Sequence, residues 1–199
     1  GSWWLDRSFG KIDIAKVAQT GDNAVTLRAA PFTVHHELEA AYVLGDFAVE
    51  PVAKGFAVAP PRPLELGPWN AQGCPLYGHT ATYTEVFDIA APSGSYAVAL
   101  PRWYGSVARV DVNGACAGYI YRQPWELDVT RLIQPGSNTI EVTVFGTLKN
   151  TLGPHHGGPP LGFASPGSFN KGPECGPPPG AEYSTVAYGL FEPFVLTNG

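Results

Sequence analysis

Apolar residues recur at every second position in three short stretches of the chain. Tyr96, Val98 and Leu100 form one row, Ala108, Val110 and Val112 a second, and Ile140, Val142 and Val144 a third. Successive side chains of an extended backbone point to opposite sides, so each row marks a strand with one buried and one wet face. The breaks between rows are turn sequences: Pro92-Ser93-Gly94, Asn113-Gly114 and Pro135-Gly136-Ser137-Asn138. Asn-Gly tolerates positive φ at both central positions of a two-residue turn, which predicts that 107–112 and 115–121 pair as a hairpin. Further strands are expected at 24–29, 55–59, 82–89, 184–189 and 191–197, where β-branched and aromatic residues gather between breakers. The best helical segment, Glu37 to Leu44, suits an extended strand equally well. The pattern as a whole predicts an all-β protein, an antiparallel β-sandwich.

Two features modify that picture. The run Asp13-Ile14-Ala15-Lys16-Val17-Ala18-Gln19-Thr20-Gly21-Asp22-Asn23 is echoed by Asp128-Val129-Thr130-Arg131-Leu132-Ile133-Gln134-Pro135-Gly136-Ser137-Asn138, and each leads into an alternating segment. Both read as a short local turn followed by Gly-x-Asn reversing into a strand. They mark either two equivalent corners of one sandwich or the tail of a preceding sandwich domain. From Gly153 to Gly180, 16 of 28 residues are Gly or Pro, which predicts a long surface loop before the chain returns to the sandwich through Tyr183 to Leu196. The expected organisation is therefore residues 1–30 as an entry strand or remnant of a preceding domain, and residues 31–199 as a sandwich with a Gly/Pro-rich loop at 153–180.

Composition narrows the function. With 44% hydrophobic and 15% charged residues in 199, the chain can bury a sizeable core. A net charge of -5 offers no basic field for nucleic acid or an anionic membrane. No apolar run approaches the roughly 20 residues of a membrane-spanning helix. Three cysteines, Cys74, Cys116 and Cys175, are too few for a disulfide framework and lack zinc-site spacing. Cys74 with Cys175 is the one pairing expected of an exported protein, set against three unpaired thiols. The lack of methionine suits a segment of a longer protein whose signal lies elsewhere.

The order of pieces from Tyr96-Ala-Val-Ala-Leu-Pro-Arg-Trp103 through Val110-Asp-Val-Asn-Gly114, Gly118-Tyr-Ile, Pro124-Trp-Glu-Leu-Asp128-Val-Thr130 and Pro135-Gly-Ser-Asn138-Thr-Ile-Glu-Val142 resembles a known domain. It is similar to the galactose-binding-like jelly roll, the sugar-binding sandwich of β-galactosidase and β-glucuronidase-type glycoside hydrolases. In that family a strand ends near tryptophan, a second runs into V-x-V-N-G, and G-x-x, P-F-x-x-D-V-T and G-x-N follow. Two flanking pieces look like segments of large α-L-rhamnosidase-like enzymes: Tyr42-Val-Leu-Gly-Asp-Phe47, and Gly146-Thr-Leu-Lys-Asn150 with Leu152-Gly-Pro-His-His156. The resemblance implies a jelly-roll domain without catalytic residues that braces a catalytic barrel, lines its entrance or binds glycan. It also implies a secreted or periplasmic parent enzyme.

Candidate chemistry is sparse. Glycoside hydrolysis needs two carboxyl groups about 5–10 Å apart across one sugar. Glu37, Glu39, Glu65, Glu85, Glu126, Glu141, Glu174, Glu182 and Glu192 are available, but none is paired by sequence, and Glu85 and Glu141 suit a solvated sheet face. Asp111 and Asn113 are closely spaced oxygen donors, yet no run of further carboxylates follows, and a hairpin turn accounts for them better than calcium. A structural Ca2+ stays open, since jelly-roll sugar modules commonly carry one. Asp128 and Thr130 read as a capped corner. No catalytic residue is expected.

Sugar rings stack an apolar face on aromatic side chains, while their hydroxyls seek amide, guanidinium or imidazole partners. The expected carbohydrate-binding residues are accordingly Trp69, Asn70, Tyr77, Tyr121, Arg122, Trp125, His155 and His156, all in loops. Trp103 is expected in the core; Trp125 suits core or site, and His155 and His156 suit sugar contact or loop capping. Carbohydrate recognition of a poly- or oligosaccharide, beside the catalytic domain of the same parent enzyme, is the function expected. The alternative is a structural sandwich that braces that domain without binding sugar.

Overall fold

The computed structural model describes residues 1–35, 41–153 and 177–199. They form two compact units, Gly1–Leu44 and Gly45–Gly199. In the first, strands β1 (Trp3–Trp4) and β2 (Asp6–Gly10) pair antiparallel. Trp4, Phe9 and Tyr42 gather beside them with ring centroids 5.2 to 5.8 Å apart. No strand forms at 24–29, against expectation. A strand needs a neighbour for its backbone donors and acceptors, and none pairs with this segment among the described residues. The first half of the Glu37 to Leu44 segment, 37–40, lies outside the described residues, and 41–44 have no regular structure.

The second unit is the antiparallel β-sandwich. One sheet has four strands in the order β5 (Thr80–Ile89), β11 (Gly136–Phe145), β8 (Val107–Val112) and β9 (Ala115–Ile120). The other has three, β10 (Glu126–Asp128), β6 (Tyr96–Ala99) and β13 (Val195–Asn198). Two short pairs complete it: β3 (Ala48–Pro51) with β4 (Phe56–Ala59), and β7 (Trp103–Tyr104) with β12 (Gly189–Leu190). The only α-helix among the described residues is α1 (Lys149–Leu152). No helix there is long and apolar enough to cross a membrane.

Register explains the core. Val142 lies between Val110 on β8 and Tyr83 on β5, and Val144 between Ala108 and Ala81. These residues share an inner face with Ile140 and Val112 and meet Tyr96, Val98 and Leu100 of the other sheet. All three alternating rows are thus buried, each large aliphatic contributing about 1.5–3 kcal/mol. Asn113 and Gly114 take φ of 52° and 79° at the predicted hairpin turn. Glu141 faces outward, whereas Glu85 stands opposite Ile140 on the inner-facing side of β5 and stays exposed because β5 is an edge strand. An inward-pointing charge there discourages another strand from adding to the sheet.

Two buried asparagines replace ladders where the chain turns. Asn138 is fully buried; its Oδ1 accepts from the amide of Gln134 at 2.9 Å, and its Nδ2 donates to the carbonyls of Gln134 and Gly136 at 2.8 and 3.0 Å. Asn150 of α1 holds Val186, accepting from its amide at 2.7 Å and donating to its carbonyl at 2.8 Å. The predicted strand at 184–189 is therefore mostly an extended segment fastened by a side chain, with only Gly189 entering β12. Similarly, the strand expected at 191–197 begins only at Val195, beyond Pro193.

Candidate functional site

Three pieces of backbone enclose an open cleft of about 680 Å³: the β3–β4 hairpin, the turn around Asn70–Pro75, and the chain from Gly180 to Thr185. Backbone hydrogen bonds fasten these walls together. The amide of Val49 donates to the Gly73 carbonyl at 2.8 Å, Gly55 to Pro178 at 2.8 Å, and Gly180 to Val52 at 2.9 Å. The extended segment beyond them is the one held by Asn150, so a buried amide on α1 positions the cleft's far wall.

The cleft combines an aromatic pair with polar groups of both kinds. Phe56 and Tyr183 meet edge to face, centroids 4.8 Å apart. Arg62 Nη2 bridges Glu50 Oε1 at 2.9 Å, with both side chains more than half exposed. Such a pair adds at most about 1 kcal/mol to stability, so its position on the wall serves the fold little. Asn70 Nδ2 donates to Thr185 Oγ1 at 3.1 Å. Chemically the wall offers apolar ring surface, a guanidinium fork, a carboxylate and an amide within one concavity. Cys74 lies just behind it, half-buried, and burial pushes its thiol pKa up despite the positive charge of Arg62. A thiol so placed is poorly disposed to act as a nucleophile.

The residues expected from sequence fall into separate places. Asn70 is on the cleft wall. Trp69 corrects the expectation of a stacking platform: it is 1% exposed, its Nε1 donates to the Tyr83 hydroxyl at 2.8 Å, and Tyr77 and Tyr188 pack around its ring. With no open face, it is a core residue. Tyr77 is exposed, donates its hydroxyl to the Thr80 carbonyl at 2.9 Å and lies near His79. Tyr121 is 64% exposed with the Arg122 guanidinium 6.0 Å from its ring centroid. Trp125 is half-buried and meets Trp103 edge-on at 5.4 Å, both packed against the core. His155, His156 and Cys175 lie outside the described residues.

Strand register gathers part of this set. Thr80 pairs with Phe145, Phe145 with Val107, and Ala108 with Ile120, so Tyr77 and the Tyr121–Trp125 connection emerge at the same end of the four-stranded sheet. The cleft residues Glu50, Phe56, Arg62, Tyr183 and Thr185 were not legible as a group. What joins them is the long-range pairing of Gly55 with Pro179, which no local spacing announces. The oxygen donors weighed for calcium are engaged within the fold. Asp111 accepts from Arg109 Nη2 at 2.6 Å, and Asn113 bonds the Leu132 carbonyl, Asn138 Oδ1 and the Thr139 amide. Among the described residues no cluster of three or more His, Cys, Asp or Glu side chains is arranged to hold a metal ion.

No protein-family model matches the chain and no curated protein does. Among solved structures, it is similar to a rhamnosidase from Novosphingobium sp. PP1Y, 22% identical over 82% of this chain with a TM-score of 0.48. It is also similar to the Bifidobacterium dentium β-glucuronidase complexed with coumarin-3-O-glucuronide, 20% identical over 69% of the chain with a TM-score of 0.41. The β-D-mannosidase of Dictyoglomus thermophilum is 18% identical over 77%, with a TM-score of 0.39. This chain spans 16%, 25% and 22% of the lengths of those three chains respectively.

Proposed function

We propose that this chain is a non-catalytic carbohydrate-binding module of a secreted or periplasmic glycan-degrading enzyme, and that it holds sugar in the cleft between β3–β4, the Asn70–Pro75 turn and the Gly180–Thr185 segment. The observation that carries this reading is the cleft itself: ring surface from Phe56 and Tyr183 beside Arg62, Glu50 and Asn70. Ring faces suit the C–H side of a sugar, and the polar groups suit its hydroxyls. The sequence resemblance to sugar-binding jelly rolls supports the same reading. So does the cleft's described lining, in which Glu50 is the single carboxylate and is paired with Arg62. Hydrolysis by the usual mechanism needs a second one. Tyr77, Tyr121, Arg122 and Trp125, at the end of the four-stranded sheet, are proposed as a secondary contact surface for a longer glycan or for the parent's catalytic domain.

The bracing alternative calls for a broad apolar face. The outward face of the four-stranded sheet is polar instead, with Thr82 and Thr143 hydroxyls 2.8 Å apart and the Arg109–Asp111 pair beside them. The test is a screen of the protein against soluble poly- and oligosaccharides, followed by Arg62→Ala. Loss of a charge-assisted hydrogen bond is expected to weaken binding roughly tenfold or more. A protein that binds nothing in the screen favours the bracing alternative.

A further inference from the structure

The sequence echo between Asp13–Asn23 and Asp128–Asn138 is repeated in three dimensions, in the side-chain hydrogen bonds of its Asp and Asn and in its first backbone turn. Asp13 Oδ1 accepts from the Ala15 amide at 2.9 Å, as Asp128 Oδ1 does from Thr130 at 2.9 Å. The Val17 amide donates to the Ile14 carbonyl at 3.0 Å, and that of Leu132 to Val129 at 2.9 Å. Asn23 Oδ1 accepts from the Gln19 amide at 2.9 Å, while its Nδ2 donates to the carbonyls of Gln19 and Gly21 at 2.7 and 2.9 Å. Those are the three bonds Asn138 makes to Gln134 and Gly136. Even the backbone agrees, with φ of 93° at Gly21 and 91° at Gly136.

What differs is burial. In the second unit the corner leads into β11, the strand between β5 and β8, whose Ile140 and Val142 are fully buried. The equivalent positions after Asn23 are Val25 and Leu27, each 73% exposed, and Ile14 is 41% exposed where its counterpart Val129 is 2%. Scattered exposed aliphatics are ordinary, but these occupy the positions that the same device delivers to a sandwich interior. We infer that residues 12–30 are the closing corner and a central strand of a second sandwich built like Gly45–Gly199. The face bearing Ile14, Val25 and Leu27 is covered by antiparallel strands from polypeptide that precedes Gly1 in the parent protein. Chain order fixes that source: in the second unit the flanking strands β5 and β8 and the facing strand β6 all precede the corner. The inference does not depend on the sugar-binding reading.

The test compares amide hydrogen exchange across 24–30 in the 199-residue chain and in the parent protein extended through its preceding residues. Exchange there should be fast in the short chain and slowed at least a thousandfold in the parent, as for a central strand. Leu27→Asp should lower the melting temperature of the parent and leave that of the 199-residue chain unchanged. Should Leu27→Asp prevent the parent from folding, exchange in the unsubstituted parent decides. Unprotected amides in both proteins would overturn the inference. So would a dimeric 199-residue chain that Leu27→Asp dissociates, since a second copy would then be the covering partner.

Discussion

Asn138 ties the backbone of its own corner, at Gln134 and Gly136, to the hairpin turn, since its Oδ1 also accepts from the Asn113 side-chain Nδ2 at 3.0 Å. Asn138→Ala removes these bonds and leaves a gap where a fully buried side chain stood, so about 1–3 kcal/mol of stability should be lost in urea unfolding. Trp69 makes a related point about function. Its place in a Gly- and Pro-flanked turn beside Asn70 made it look like an exposed platform, and nothing local reveals that Tyr83, 14 residues on, takes its Nε1 hydrogen bond. Trp69→Phe should therefore cost on the order of 1–2 kcal/mol, from that bond and some lost volume. Glycan affinity of the folded variant should stay within about twofold. A large loss of affinity without loss of stability, seen by calorimetry beside thermal melting, would return Trp69 to the site.

Among the elements, those written in period two were legible because a strand with one buried face must alternate, as at β6, β8 and β11. The 24–29 segment alternates in the same way and yet forms no strand, since alternation specifies a face and not the neighbour that completes it. The corner before β11 was readable from Asp128 and Asn138, and it carries a pH signature. Hydrogen bonds from the Thr130 hydroxyl and amide hold the Asp128 carboxyl below the usual carboxylate range. The folded state thus favours the carboxylate more than the unfolded chain does. Its contribution is present in full above the ordinary carboxylate pKa of about 4 and is lost as pH falls through the lowered value. Melting temperature measured from pH 6 to pH 2 should fall less steeply for Asp128→Asn than for the parent sequence. An identical acid limb in the two proteins would show that the corner gains nothing from the charge.

On the scale of the whole molecule, an all-β architecture followed from alternation, turn chemistry and the order of short pieces, and the sandwich of Gly45–Gly199 has it. The cleft did not follow, because its walls come from segments some 130 residues apart joined at Gly55 and Pro179. Of the residues expected to touch sugar, Asn70 alone lies on its wall, and the others described are in the core or at the end of the four-stranded sheet. The measurement that bears most directly on the account is calorimetric titration of the best glycan from a screen into the unsubstituted protein, Arg62→Ala, Asn70→Ala and Tyr121→Ala, each checked for folding by its melt. Removing a partner of the sugar's hydroxyls in the cleft should weaken binding roughly tenfold for Arg62→Ala and severalfold for Asn70→Ala, with Tyr121→Ala changing it less. Binding that survives both cleft substitutions unchanged, or that Tyr121→Ala alone abolishes, would contradict the assignment of the cleft.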